Sequence, residues 1–470
     1  MIKIIDSFSN IKGIIILFFI LRLYGITNPP LEISHNWRQT DMTMVSRNMT
    51  KDLHQILYPQ VDYGGSKSQI VGMEFPLLNA FIALANRCFG YAHWYGRLIN
   101  LIFSSIGMYF FYLLVSKLTN EKHAFYASFV LISTLWFAYS RKIMPDTFSA
   151  SFIIAGIYYS ILALERKTYR ALYYILACIF IAIGGLTKIS SCILLVFIVP
   201  FLLEKTIDLK TKIILIITLT FAGILTLAWY IVWVPYLNTL SDARFFMGKS
   251  FSIASHEIID RLGDICLRFY ETAVGFSGFI LFLIGLFLLI KHKQKSLLII
   301  FILGTLLEIL FLFKTGAQFA IHTYYILPYV PIMALIAGYV LYLLPKKYAT
   351  ILCFILFIEN GARLYGEFII KPKYQPVEHI DRILDSLKIP RNALIATNGN
   401  VSPTVLYFSQ HKGWTPSNEQ LQNPDFIHSL ILKSCEYIVI DKQAFSDDVE
   451  LLNKTEIFNN KSFRIYKLTK

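Results

Sequence analysis

Charge is scarce in this chain: Asp, Glu, Lys and Arg make up 16% of 470 residues, against 56% hydrophobic ones. A soluble globular domain carries about 25% charged residues, so composition excludes that class. Cysteine is scarce as well. The six present (Cys88, Cys178, Cys192, Cys266, Cys353 and Cys435) show no paired spacing, which points to neither a disulfide framework nor a zinc site. No internal repeat is evident. Acids are outnumbered by bases, 30 to 44, but the surplus gathers in short connections between apolar runs. The basic balance therefore reports membrane topology and not nucleic-acid binding.

What the chain has in quantity is apolar length. Mean hydropathy is +0.55, and runs able to cross ~30 Å of hydrocarbon recur along most of the sequence. They predict an all-α polytopic membrane protein with about eleven spans, at 11–28, 95–118, 124–140, 147–164, 171–187, 191–203, 213–234, 273–290, 296–313, 324–344 and 348–365. The sixth is short and carries Pro200, so a tilt or kink is expected. Lys3 and Lys12 precede the first run as in a signal peptide, but "YGITNPP" offers no small-residue cleavage site, so it is read as a span.

Basic connections at 117–122, 166–170, 204–212, 291–295 and 346–347 fall in alternate loops. They mark the cytoplasmic side and place the N-terminus there. The opposite face then receives the loop 29–94, the loop after span seven and the tail. This gives two domains: a transmembrane domain over 1–365, and a small α/β domain over 366–470 in which "ALIAT", "YIVID" and "SFRIYKL" read as strands. Nothing in the tail resembles a phosphate loop or a nucleophile motif.

Polar residues concentrate in the first outer loop. "HNWRQTD" ends on Asp41, and Met42, Val45, Met49, Leu53 and Ile56 follow at helical spacing, which predicts a helix lying on the bilayer. "EFPLLNAFIALANRCFG" predicts a second juxtamembrane helix. Asp41 reads equally as an N-cap and as a general base. Asp146, in "RKIMPDTFSAS", follows Pro145 at another helix start on the same expected side, and carries the same two readings. Lys188 in "GGLTKISS" and His322, Tyr324 and Tyr325 in "IHTYYILP" fit either the aromatic and basic belt of an interface or a phosphate grip. Arg141, Lys142, Arg244, Lys249, Arg261 and Arg268 add positive charge to that face, for which an anionic lipid headgroup is the natural counter-ion. Glu308 and Arg22 fall inside spans, where charges are costly and pairing is expected.

In order, "HNWRQTDMTMVSRNM", "YPQVDYGG", "EFPLLNAFIALANRCFG", "WYGRLINL", "MPDTFSAS", "GLTK" and "HTYYILPYVP" resemble bacterial members of the dolichyl-phosphate-mannose protein mannosyltransferase superfamily, polyprenyl-phosphate-dependent glycosyltransferases of the GT-C fold. The resemblance runs over roughly 10–345. It implies a lipid-phosphate sugar donor, chemistry on the outer face of a bacterial inner membrane, and an acidic catalytic base in the first outer loop, which Asp41 matches. Aminoarabinose transferases and protein O-mannosyltransferases typically show two adjacent acids there; here Asp41 stands between Thr40 and Met42. The resemblance further implies that Asp62 and Glu74 shape the donor site.

In chemical terms, Lys188 and His322 would hold the phosphate, Asp41 would take the proton of an acceptor hydroxyl on a lipid, glycan or protein, and Arg38 would hold Asp41 ionised or meet the phosphate. Direct displacement would invert the anomeric centre. No cofactor is indicated, although a divalent metal is compatible with the family. A transporter or flippase of lipid-linked glycans is the alternative. It predicts internal repeats and polar residues at the bilayer midplane, few of which are found.

Overall fold

A computed structural model describes residues 10–240, 248–446, 449–451 and 454–468; Lys3 and Arg244 lie outside the described residues. Within hydrocarbon a backbone must satisfy its N–H and C=O groups inside its own segment, so the long apolar runs form helices. Among the described residues, six are long and apolar enough to cross a membrane: Tyr95–Leu118, Pro145–Glu165, Arg170–Thr187, Leu209–Leu237, Lys295–Thr315 and Lys346–Ser386. A seventh results if Leu262–Ala273 and Gly275–Lys291, bent by 93° at their break, form one span. The chain is a multi-pass membrane protein. The runs expected at 11–28, 191–203 and 324–344 fall on shorter apolar helices, Ile11–Leu21, Ile189–Leu202 and Val330–Leu343.

The described residues divide into two compact units. One comprises Met1–Ile26, Arg97–Tyr230 and Phe246–Gly366. Its helices pack closely where small residues permit. Pro145–Glu165 lies along Arg170–Thr187, and a Cβ added at Gly184 would stand 2.7 Å from the Ile153 side chain. Val330–Leu343 lies along Glu121–Ser133, and a Cβ at Gly338 would stand 2.5 Å from the Ala127 Cα. Backbone approach of this kind is the usual basis of helix association in lipid, where no hydrophobic drive operates between helices. Ile213, Ile217, Phe221 and Ile224 remain exposed along Leu209–Ala228, as a lipid-facing stripe requires. The segment with Pro200 departs from α geometry: Ile189–Ile198 winds as a 3-10 helix before Val199–Leu202.

Among the described residues, the expected charge pairing inside this unit is not found. Arg22 satisfies its donors on neutral oxygens, the Phe18 carbonyl at 2.9 Å and the Ser140 and Ser105 hydroxyls. Glu308 is buried, and neither carboxyl oxygen has a hydrogen-bond partner. A guanidinium fans out over several acceptors, so burial alone does not force a counter-charge beside it.

The second unit comprises Thr27–Gly96, Ile231–Phe245 and Glu367–Lys470. Its tail forms a five-stranded sheet from β1 (Leu394–Thr397), β2 (Lys412–Trp414), β3 (Cys435–Asp441), β4 (Thr455–Asn459) and β5 (Phe463–Lys467), in the order β2-β1-β3-β5-β4. β2, β1 and β3 are parallel, joined by helical crossovers; β5 and β4 are antiparallel. Six of the seven residues of "CEYIVID" in β3 are buried, the near-continuous pattern of a strand covered on both faces. The β4–β5 hairpin turns on Asn460, whose Oδ1 accepts from the Ser462 and Phe463 amides at 2.8 and 2.7 Å. The remainder of the unit is built around the helix Asn36–Lys51, which packs along Leu77–Phe89.

Candidate active site

The helix that carries Asp41 begins earlier than its apolar spacing suggests. Ser34 and His35 both take left-handed backbone, at φ 62° and 63°, and the chain turns helical at Asn36. The turn is tied down by Ile33, whose amide donates to the Ile369 carbonyl at 2.8 Å, and by the Ser34 hydroxyl, which donates to Glu367 at 2.7 Å. Asp41 is consequently the sixth residue of the helix, and its side chain caps nothing. The N-cap reading fails on position alone.

The expected surface helix is instead largely buried. Gln39, Thr40, Thr43, Ser46 and Asn48 are buried although polar. Thr40, Thr43 and Ser46 return their hydroxyls to carbonyls one turn back, at 2.7–2.8 Å. Asn79 donates to the Met42 carbonyl at 2.6 Å and to the Ser46 hydroxyl at 3.1 Å. A helix so satisfied loses little by leaving water.

On this helix Arg38 lies one turn before Asp41, so the two side chains share a face. Arg38 Nη1 donates to Asp41 Oδ2 at 3.0 Å, and Nη2 donates to Glu74 Oε2 at 2.6 Å. The other Asp41 oxygen, Oδ1, accepts from the Tyr63 hydroxyl at 3.0 Å. Asp41 is 6% exposed and Glu74 4%. Burial raises the Asp41 carboxyl above its usual range; Arg38 and Tyr63 oppose that shift and Glu74 adds to it. Burial, followed by the Asp41 charge, holds the Tyr63 hydroxyl well above a normal phenol. The proton therefore stays on Tyr63, a donor to Asp41. Asp41 is thus a buried carboxylate held through both of its oxygens, by Arg38 and by Tyr63.

Asp62 belongs to a neighbouring arrangement. It pairs with Arg47 and accepts from Asn48 Nδ2 at 2.9 Å. The structure thus brings Arg38, Asp41 and Glu74 together and sets Asp62, outside the helix, against Arg47 and Asn48 further along it. Tyr63 escaped the sequence reading. Its only signal was its place in "YPQVDYGG", since its partner lies 22 residues away.

The other candidate residues lie in the first unit. Asp146 occupies the first turn of Pro145–Glu165, and Lys188 follows the last residue of Arg170–Thr187. Lys188 Nζ stands 3.7 Å from Asp146 Oδ1 and 5.2 Å from the centre of the Tyr324 ring. Tyr324 stacks on His322 with centroids 5.3 Å apart, and Tyr325 meets Tyr324 edge-on at 4.8 Å. Asp146, Lys188, His322, Tyr324 and Tyr325 therefore form one cluster. Most of the other cations of the expected outer face are engaged by their own chain: Arg141 by the Tyr24 and Gly25 carbonyls, Arg268 by the Ala320 carbonyl, Lys249 by Glu257. Among the described residues, no three His, Cys, Asp or Glu side chains are grouped as metal ligands.

Residues 74–233 match the model of the dolichyl-phosphate-mannose-protein mannosyltransferase family, a stretch that holds Glu74, Asp146 and Lys188 but neither Asp41 nor His322. No curated protein matches the chain in sequence. Solved structures do match in fold. ArnT from Cupriavidus metallidurans aligns in its apo state with TM-score 0.57 and 10% identity over 97% of this chain and 98% of that one. The same protein bound to undecaprenyl phosphate aligns with TM-score 0.58, 10% identity and the same coverage. The Archaeoglobus fulgidus oligosaccharyltransferase, in its apo form, aligns with TM-score 0.58 and 10% identity over 91% of this chain and 69% of its own. The chain thus shares the fold of these solved structures and, over residues 74–233, matches the dolichyl-phosphate-mannose-protein mannosyltransferase family model.

Proposed function

We propose that this protein transfers a sugar from a polyprenyl-phosphate donor to an acceptor hydroxyl, on the outer face of a bacterial inner membrane. The reading rests chiefly on the buried Arg38–Asp41–Glu74 centre. A carboxylate raised by burial, oriented through both oxygens and still able to accept, suits a general base. The likeness to ArnT bound to undecaprenyl phosphate supports the donor class. Eleven crossings, a cytoplasmic N-terminus and residues 366–470 as an outer domain complete the proposal.

In the reaction, the acceptor oxygen attacks the sugar C1 while Asp41 takes its proton. The C1–O bond to phosphate breaks, and polyprenyl phosphate leaves with the electron pair. A single displacement inverts C1. Separately, within the first unit, Lys188 with Asp146 beside its ammonium and His322, Tyr324 and Tyr325 as donors suits the binding of an anion such as phosphate. Arg38 orients Asp41, with Glu74 as the counterweight that keeps the guanidinium from neutralising it. No step is assigned to a cofactor. The test is sugar release from synthetic undecaprenyl-phosphate monosaccharides by purified protein in detergent, with Asp41→Asn as control; equal release by both proteins overturns the reading.

A further inference from the structure

The tail of the second unit does more than fold beside the site helix. The segment Asp62–Gly65 lies against the free edge of β2, at the end of the sheet order. The Gly413 amide donates to the Asp62 carbonyl at 2.8 Å, and the Gly65 amide donates to the Gly413 carbonyl at 2.8 Å. These two bonds bracket Tyr63. The sheet edge has thus gained a short partner segment, by the backbone pairing through which extended peptides join exposed strands.

Close approach makes the join specific. A Cβ at Gly413 would stand 1.6 Å from the Ile395 carbonyl oxygen of β1, so only glycine lets β2 lie there. Gly65 takes φ +65°, and a Cβ on it would stand 2.2 Å from Trp414 Nε1. A second tie runs from the site helix itself: Arg47 Nη1 donates to the Tyr407 carbonyl at 2.9 Å, with the guanidinium 4.7 Å from the Tyr407 ring centre. The Tyr407 hydroxyl in turn meets Tyr91 and His93 Nδ1, the latter at 2.8 Å.

We propose that the C-terminal α/β part is a positioning element of the candidate active site: Gly413 on its edge strand fixes the Asp62–Gly65 turn and so holds the Tyr63 hydroxyl on Asp41. Tyr63 is a positioning residue and acts through Asp41. The inference gives a role to Asp41 that rests on the general-base reading, but the geometry it invokes does not depend on which sugar or acceptor is used.

The charged and titratable groups facing Asp41 within this unit are Arg38 on its own helix, Glu74 ahead of the Leu77–Phe89 helix, and Tyr63. Asp62 bears on Tyr63 as well. Of the three groups that face Asp41 itself, only Tyr63 is carried on the Asp62–Gly65 turn that Gly413 holds. Loosening the join removes the Tyr63 hydrogen bond, which favours the ionised carboxylate, so the Asp41 midpoint rises.

The experiment is an infrared pH titration of the detergent-solubilised full chain without substrate. The protonated-carboxyl band of Asp41 is identified as the one lost in Asp41→Asn. Tyr63→Phe should raise its midpoint by about one pH unit, tenfold in proton affinity. Gly65→Ala should raise it as well, and Trp414→Ala serves if Gly65→Ala does not fold. In a protein that already carries Tyr63→Phe, neither change should move the midpoint further, the non-additivity of a shared path. An unmoved midpoint in Tyr63→Phe overturns the proposal. Lowered melting temperature with an unmoved midpoint in the join variants also overturns it, and leaves the tail a purely structural part. A fixed midpoint leaves the general-base reading standing, whereas normal turnover in Asp41→Asn removes that reading and leaves the coupling intact.

Discussion

Arg38 stands one turn before Asp41 and reaches its Oδ2 at 3.0 Å, while its second nitrogen is committed to Glu74 at 2.6 Å. The aspartate is therefore held by a cation that it does not own. Its ionisation depends on how that cation is shared.

Glu74→Gln should remove one of the two carboxylates that share Arg38. Glu74 raises the Asp41 carboxyl, so its neutralisation should move the acid limb of the pH–rate profile to lower pH, with activity retained near neutrality. A complete loss of activity at every pH would instead make Glu74 the base.

Arg38→Gln should do the opposite and do more damage. It removes the cation that Asp41 and Glu74 share, and breaking a buried ion pair by removing one partner typically costs ~3–5 kcal/mol. Thermal stability in detergent should fall, with the acid limb shifted upward in whatever protein survives. A variant with unchanged melting temperature would show that the centre is solvated.

Stability and activity should respond to pH in opposite senses around Asp41. Its folded-state carboxyl is raised by burial, so the native chain binds the proton more tightly than the unfolded one. The contribution of Asp41 to stability is then fullest below the ordinary carboxylate range and is lost as pH rises through the folded midpoint. Turnover needs the ionised form and rises over that same window. Denaturation midpoints measured across acidic pH should show this slope reduced in Asp41→Asn; an identical slope would place the titration on another group.

Lys188→Ala should weaken binding of undecaprenyl phosphate while the protein stays folded. A charge-assisted contact contributes ~1.5–3 kcal/mol, or roughly 10–100-fold in Kd. Asp146 is left with a lost partner, so Lys188→Arg should recover part of the affinity. Unchanged affinity in Lys188→Ala would return the residue to the role of an interfacial lysine.

Because Arg38 already occupies the face shared by Asp41 and Glu74, turnover is expected to survive EDTA treatment. Loss of activity restored by a divalent cation would require a different arrangement of these carboxylates.

The six long apolar helices were legible because hydrocarbon imposes one rule on about twenty residues at a time. Pro76 and Gly90 likewise bounded the Leu77–Phe89 helix correctly. The site helix was legible only in part. Met42, Val45 and Met49 gave its period, yet Gln39, Thr43, Ser46 and Asn48 resemble a solvated face and are in fact buried. Their partners, Asn79 and Asp62 among them, lie far along the chain, and no local pattern reports such contacts. The helix start was missed because Ser34 and His35 adopt left-handed backbone without a glycine to announce it. β2 was missed because three residues with a central glycine carry no alternation. Arg38, Asp41 and Glu74 were picked out from loop placement and resemblance, while Tyr63 required the fold.

In the proposed reaction Asp41 accepts the proton of the acceptor hydroxyl. Asp41→Asn tests it cleanly, because it removes the proton acceptor at nearly constant shape and leaves the Arg38–Glu74 pair in place. The account predicts a folded variant with normal undecaprenyl-phosphate binding and a turnover rate lower by ~10²–10⁴. Near-normal turnover from the same folded protein would contradict it.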